Sequence, residues 1–286
     1  MKTVKLWYTG VLFFSLLTCH VTAQEIKKDN NTDPLNSTSS WVGGVVPGSA
    51  NVAVWDATVT SQHSVNTGGA MTWDGIRIAN PGGPITLAGT SKLTLDGGAS
   101  LDLNLSAATQ NLTISAPLAL AGSQFASIAT NQTLTLSGTT DVSANFYKTN
   151  SGLLILDGPT TFTSEFRIAG GTALLRSNTV MTAGATETMA IYNGTMILDG
   201  GAFAMTNTQS RFFVGRALAT SDALLIVSNG THRVDGVNND SMANFVGVSG
   251  AKRGRLFMEG GRLTVKYLRM RSEEHTSELQ SRSDLV

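Results

Sequence analysis

Cysteine is nearly absent from this chain: among 286 residues the single thiol is Cys19, inside an N-terminal segment that reads as a signal. In a chain cleaved after Ala23, disulfides, thiolate metal sites and cysteine nucleophiles are excluded. Charged residues make up only 14% and sum to a formal net charge of zero. No general attraction to nucleic acid or to an anionic bilayer follows from such a balance. Histidine is scarce as well, with His20 in the leader and His275 in the tail, so only His63 and His232 remain, far apart in sequence. Two isolated imidazoles do not make a histidine-based metal centre. The one long apolar run, Leu6 to Leu17, is too short to span a bilayer. No His-Glu-x-x-His, Gly-x-Ser-x-Gly, phosphate-loop or Gly-His-Gly pattern occurs. No catalytic residue, metal ligand or cofactor is therefore assigned from the sequence, and the chain is read as non-enzymatic.

What the chain has instead is glycine, 30 residues of it, together with abundant Ser, Thr and Asn. These residues suit repeated turns and short strands. At intervals of about 30 residues the stretches Phe166-Arg-Ile168-Ala-Gly-Gly171, Met196-Ile-Leu198-Asp-Gly-Gly201, Leu225-Ile-Val227-Ser-Asn-Gly230 and Leu256-Phe-Met258-Glu-Gly-Gly261 repeat one pattern, an apolar strand ending in a glycine turn. Alternation resumes beyond the turn, as in Phe203 and Met205, His232 and Val234, Leu263 and Val265. Gly201 and Gly230 are expected at corners with positive φ. A repeat of this kind cannot bury its apolar face alone and stacks on its neighbours. The expected fold class is all-β, a parallel β-helix, or β-solenoid, with an N-terminal cap.

Four segments follow. Residues 1–23 read as a signal peptide, with Lys2 and Lys5, the apolar run, and Val21-Thr-Ala23 as the cleavage site; Leu16-Leu-Thr-Cys19 gives a rival lipid-attachment reading. Residues 24–60 read as a disordered leader, polar through Leu35, and an aromatic cap built on Trp41 and Trp55 around a Gly/Pro turn. Residues 61–270 carry the solenoid repeats. Residues 271–286 break the pattern: glycine vanishes, and Arg271-Ser-Glu-Glu-His-Thr-Ser-Glu-Leu-Gln-Ser281 resembles the translation of a sequencing-library adapter. That tail is expected to be non-native, to add nothing to the fold, and to stand where the natural protein continues.

Two groups invite a chemical reading. Asp96, Asp157, Asp199 and Glu259 precede glycines at similar places in their repeats and would form an acidic column. A column of carboxylates suits calcium binding or glycoside hydrolysis when the separations are right, but Asp-Gly is also ordinary turn chemistry. Lys252, Arg253, Arg255, Arg262, Lys266 and Arg269, opposed by Glu259, form a basic cluster suited either to an acidic glycan or lipid or to a solvated end of the stack that resists edge pairing. His232 is read as structural.

The segment Lys148-Thr-Asn-Ser-Gly152-Leu-Leu-Ile-Leu156-Asp-Gly158 through Phe162, Ile168, Gly170, Gly171 and Leu175 resembles the autotransporter-associated β-strand repeat. That pattern is a lysine, a Gly-x-Gly turn, a Leu/Thr strand, a Ser/Asp-Gly turn, an aromatic, and Ala-Gly before a Leu strand. Asn150 stands in place of the first glycine, and Pro159 and Glu165 depart from it. Phe213-Val-Gly215 and Phe245-Val-Gly247 look like related repeats of large bacterial surface proteins. The resemblance implies a right-handed β-helix passenger region and no specific activity; together with the signal it gives the expectation of an exported, monomeric structural or adhesive module whose partners are an extracellular glycan or another surface protein, with any membrane attachment lying beyond this sequence. A polysaccharide-binding or polysaccharide-cleaving β-helix is the alternative.

Overall fold

The computed structural model describes residues 23–97, 102–182, 189–207, 210–215, 222–235, 244–246, 254–266 and 268–270, the last of these and 244–246 by backbone alone. The expected signal, residues 1–23, and the tail, residues 271–286, lie outside these residues, apart from Ala23. Most of the described strands alternate buried and outward residues with period two, though Gln24–Lys27 and Asn51–Trp55 do not, and the strands stack into three parallel sheets of eleven, nine and nine members. Each coil of chain supplies one strand to each wall in turn. The first coil, for example, runs through Asn51–Trp55 on the first wall, His63–Asn66 on the second and Met71–Trp73 on the third. The architecture is a β-solenoid, and its hydrogen bonds run between coils in register.

The interior is a set of side-chain columns. Leu112, Leu134, Leu154, Ala173, Met196 and Leu225 follow one another on the second wall, and all but Leu225 are wholly buried there at 0% exposure. Burying a side chain of leucine or phenylalanine size contributes about 1.5–3 kcal/mol, so the columns are the main source of stability. Phe146, Phe162 and Phe166 stack inside successive turns, the last two with ring centroids 4.9 Å apart. Thr140, Thr160 and Thr179 form a buried polar column on the third wall. Their hydroxyls donate to the carbonyls of Gly138, Gly158 and Ser177, which satisfies groups that the interior would otherwise penalise.

Two expectations are corrected by this topology. Residues 24–35, read as a disordered leader, begin with the strand Gln24–Lys27, which pairs in parallel with Asn51–Val54. Leu35 is wholly buried and its N–H donates to Asn66. The strand carries only one inward apolar residue, Ile26, too little for periodicity to reveal, and its edge is completed by its neighbour. The second correction concerns phase. Met196, Leu225 and Leu256 do stack on one another, but Phe166 belongs to a different wall, where it pairs with Phe146 and Met189. The coil that matches Met196 one step earlier begins at Thr172, with Ala173 as its partner. Glycines do turn the corners: Gly201 has φ +59° and Gly230 φ +96°.

The aromatic residues of the first coils meet edge-on. Trp41 lies 5.8 Å from Trp55 and 5.7 Å from Trp73, ring centre to ring centre. Its indole N–H donates to the carbonyl of Leu35 at 2.8 Å. Trp73 is a member of this cluster that the reading of a Trp41–Trp55 pair did not include.

Candidate functional site

The acidic residues do not assemble as one column. Asp96 follows a strand of the third wall, Leu93–Leu95, whereas Asp157 and Glu259 follow, and Asp199 ends, strands of the second wall. Even the latter three are interleaved, because Arg176 stands in the coil between Asp157 and Asp199. Arg176 Nε lies 4.0 Å from Asp199 Oδ2. Two coils, about 10 Å of stack, with a basic residue on the coil between, separate Asp157 from Asp199, so the two are not adjacent partners in the wall. Asp96 instead faces Asp74 one coil earlier. Desolvation and the neighbouring Asp96 charge raise the Asp74 carboxyl above its ordinary value. Among the described residues no group of three or more His, Cys, Asp or Glu has a metal-binding arrangement.

The histidines are separated as expected. His63 opens the first strand of the second wall, buried, and desolvation followed by the Lys28 charge holds its pKa below the ordinary histidine value. His232 lies on the third wall near the other end, 1% exposed. The backbone N–H of Phe203 donates to its Nδ1 at 3.2 Å, so that nitrogen is the acceptor and Nε2 carries the proton, given to the Asn229 carbonyl at 2.8 Å. Burial lowers its pKa, and the Asn229 bond opposes that only in part. This imidazole is a neutral staple between two coils.

The basic cluster is only partly described. Arg255 pairs with Asp222 at 3.2 Å, both half exposed. Arg262 and Lys266 are exposed on and just after the strand Arg262–Val265. Lys252 and Arg253 lie outside the described residues, as does the side chain of Arg269.

The most organised polar site is one that the sequence reading had not singled out as a site. Lys148 points inward from the strand Phe146–Thr149 and is wholly buried. Its ammonium donates to the carbonyls of Thr149 and Asn150 at 2.8 Å each and of Gly170, one coil on, at 3.0 Å. Burial lowers its pKa to about 8. The corner is shaped for this: Asn150 takes φ +58° and Gly171 φ +68°, and a Cβ on Gly171 would sit 2.8 Å from the lysine nitrogen. Lys148, Gly152, Gly170 and Gly171, together with Asn150 in place of the pattern's first glycine, thus meet at one corner. Lys28 repeats the arrangement near the N-terminal end, donating to the carbonyl of Asn31 at 2.7 Å, to its side-chain oxygen at 2.8 Å and to the Asp29 carbonyl at 3.1 Å. The available signal was phase: Lys148 falls on the inward beat set by Phe146 and the strand's alternation. Three donors facing three carbonyl acceptors leave no capacity for a ligand.

On the outer face of the first wall, Phe125 and Tyr147 stack at 4.8 Å, and the Arg167 guanidinium covers the other side of Tyr147 at 5.4 Å and Tyr192 at 5.7 Å. This is an external ladder whose ring faces are used by one another. Comparison with family models, with curated proteins and with solved structures gives no match.

Proposed function

We propose that this chain is an exported, non-enzymatic β-solenoid of a bacterial surface protein, serving as a rigid structural or adhesive module. The observation that carries the reading is the employment of its buried polar groups. Lys28, Lys148 and His232, the residue types from which active sites are built, are committed to backbone carbonyls and amides that hold corners together. The signal-like leader supports export, and the segment from Lys148 to Leu175 supports a passenger-type repeat. In this reading the coil winds right-handed, as parallel crossovers do, and Trp41, Trp55 and Trp73 act as a cap on the first coil. Its partners are an extracellular glycan or another surface protein. A glycan array combined with an assay of reducing-end release tests the proposal: an adhesive module gives binding without turnover and a spacer gives neither. Release of sugar that disappears in Asp157→Asn or Asp199→Asn would replace this reading with a polysaccharide-cleaving one.

A further inference from the structure

The outer face of the second wall carries one uninterrupted column of register partners: Ser64, Thr86, Thr113, Thr135, Ile155, Leu174, Ile197, Ile226 and Phe257. The first part is hydroxyl-bearing and the second is apolar, with the change falling between Thr135 and Ile155. All nine positions are outward-pointing on strands of the same wall, and from Thr86 to Ile226 each stands between two buried apolar neighbours. Threonine therefore suffices for folding at this position, and the apolar residues of the later coils are not demanded by the sheet. Leu153 and Leu224 widen the strip in the adjacent outward column. Phe257 is 40% exposed and Ile155, Leu174, Ile197 and Ile226 are half-buried.

We propose that this strip is a self-association surface and that its occupant is the same wall of a second copy of this chain. Sheets pack face to face at about 10 Å with strand directions within about 30°, and outward side chains on a regular pleat interdigitate with an identical set. A two-fold axis along the solenoid keeps coils level, so that Ile197 meets Ile197 and Ile226 meets Ile226, while strand directions oppose. That reversal brings Glu259, just past the end of the strand Gly254–Met258, beside Arg255 of the other copy, near that strand's start. The formal net charge of zero adds no general repulsion between copies. Five coils make a strip roughly 20 Å long, small against the approximately 800 Å² per partner of a standard interface. The dimer is accordingly weak and dissociates in the range of roughly tens to hundreds of micromolar, unlike the monomer expected from the sequence. The surface stands independently of export or adhesion.

Sedimentation equilibrium of the chain from roughly 10 to 500 µM tests this against a variant combining Leu174→Thr, Ile197→Thr and Ile226→Thr, which extends the threonine column already present at Thr86, Thr113 and Thr135. The parent should rise toward twice the monomer mass, and the variant, with unchanged circular dichroism, should bind itself at least ten-fold more weakly. A parent that stays monomeric, a parent that grows past a dimer, or a folded variant that associates as tightly as the parent would each overturn the proposal. Should the triple variant fail to fold, Glu259→Arg on the turn outside the strip decides: it should weaken the dimer at low salt, and unchanged association refutes the geometry.

Discussion

His232 accepts the backbone N–H of Phe203 from the preceding coil, so a side chain does work in the third wall that a strand carbonyl would otherwise do. Protonation of Nδ1 removes that acceptor. Because burial lowers the folded pKa below the unfolded one, near 6.5, the unfolded chain binds the proton more readily. The contribution of His232 is present above that unfolded value and is lost as pH falls through the lowered folded one. His63 shifts in the same direction and adds to the effect. Melting should therefore drop between pH 7 and pH 5. In His232→Phe the drop should be smaller, at the cost of roughly 1–3 kcal/mol at pH 7.5 for the unsatisfied Phe203 N–H. Equal acid sensitivity in parent and variant would refute the account.

Gly171 and Gly170 make an internal comparison. An added Cβ at Gly171 would lie 2.4 Å from the Gly152 carbonyl and the residue has φ +68°, while at Gly170 the nearest atom is 3.2 Å away and φ is not positive. Gly171→Ala should destabilise by about 1–3 kcal/mol, and Gly170→Ala by distinctly less. Urea melts of the two variants check the order.

Lys148→Met keeps length and apolar stem but withdraws the three hydrogen bonds to Thr149, Asn150 and Gly170. The carbonyls then stand at a buried corner without donors. A loss of about 1–3 kcal/mol is expected, with amide exchange accelerated locally at the N–H groups of residues 150–152 and 171–172. A variant as stable as the parent would show that the ammonium's desolvation cost already cancels its bonds.

Trp41→Ala removes the contact hub between Leu35, Trp55 and Trp73. A truncation of this size in a core costs about 3–5 kcal/mol. In a stacked fold the loss is local, so limited proteolysis should cut first between residues 28 and 50 while the later coils stay protected. Cleavage spread evenly along the chain would contradict the hub.

The walls were legible in the sequence because alternation and glycine turns survive in every coil; Met196, Leu225 and Leu256 stack as their spacing demanded. Phase was lost where coil length changes. Phe146 and its partner Phe166 lie closer in sequence than Met196 and its partner Leu225, so a constant-period search fitted the long coils and set Phe166 on the wrong wall. Gln24–Lys27 was hidden for another reason: a four-residue edge strand with one inward apolar side chain has no internal pattern and exists through its pairing with Asn51–Val54. Lys148 was hidden by its residue type, since a lysine on the inward beat reads as an interruption until the carbonyls facing it are known. The acidic column failed because equivalent glycine turns occur at more than one corner, and sequence spacing alone does not say which corner Asp96 turns.

The register of the three sheets also fixes how the molecule responds to force. Each ladder bond joins one coil to the next, so tension applied along the stack strains these bonds lengthwise, and only the outermost coil has no successor holding it. Under such a pull the chain should yield one coil at a time from an end, each release of some 20–30 residues paying out roughly 70–100 Å of extended chain. The force trace of such a tether is a staircase. The stepping should pause where a coil is additionally stapled, as Lys148 does with Gly170 and His232 with Phe203.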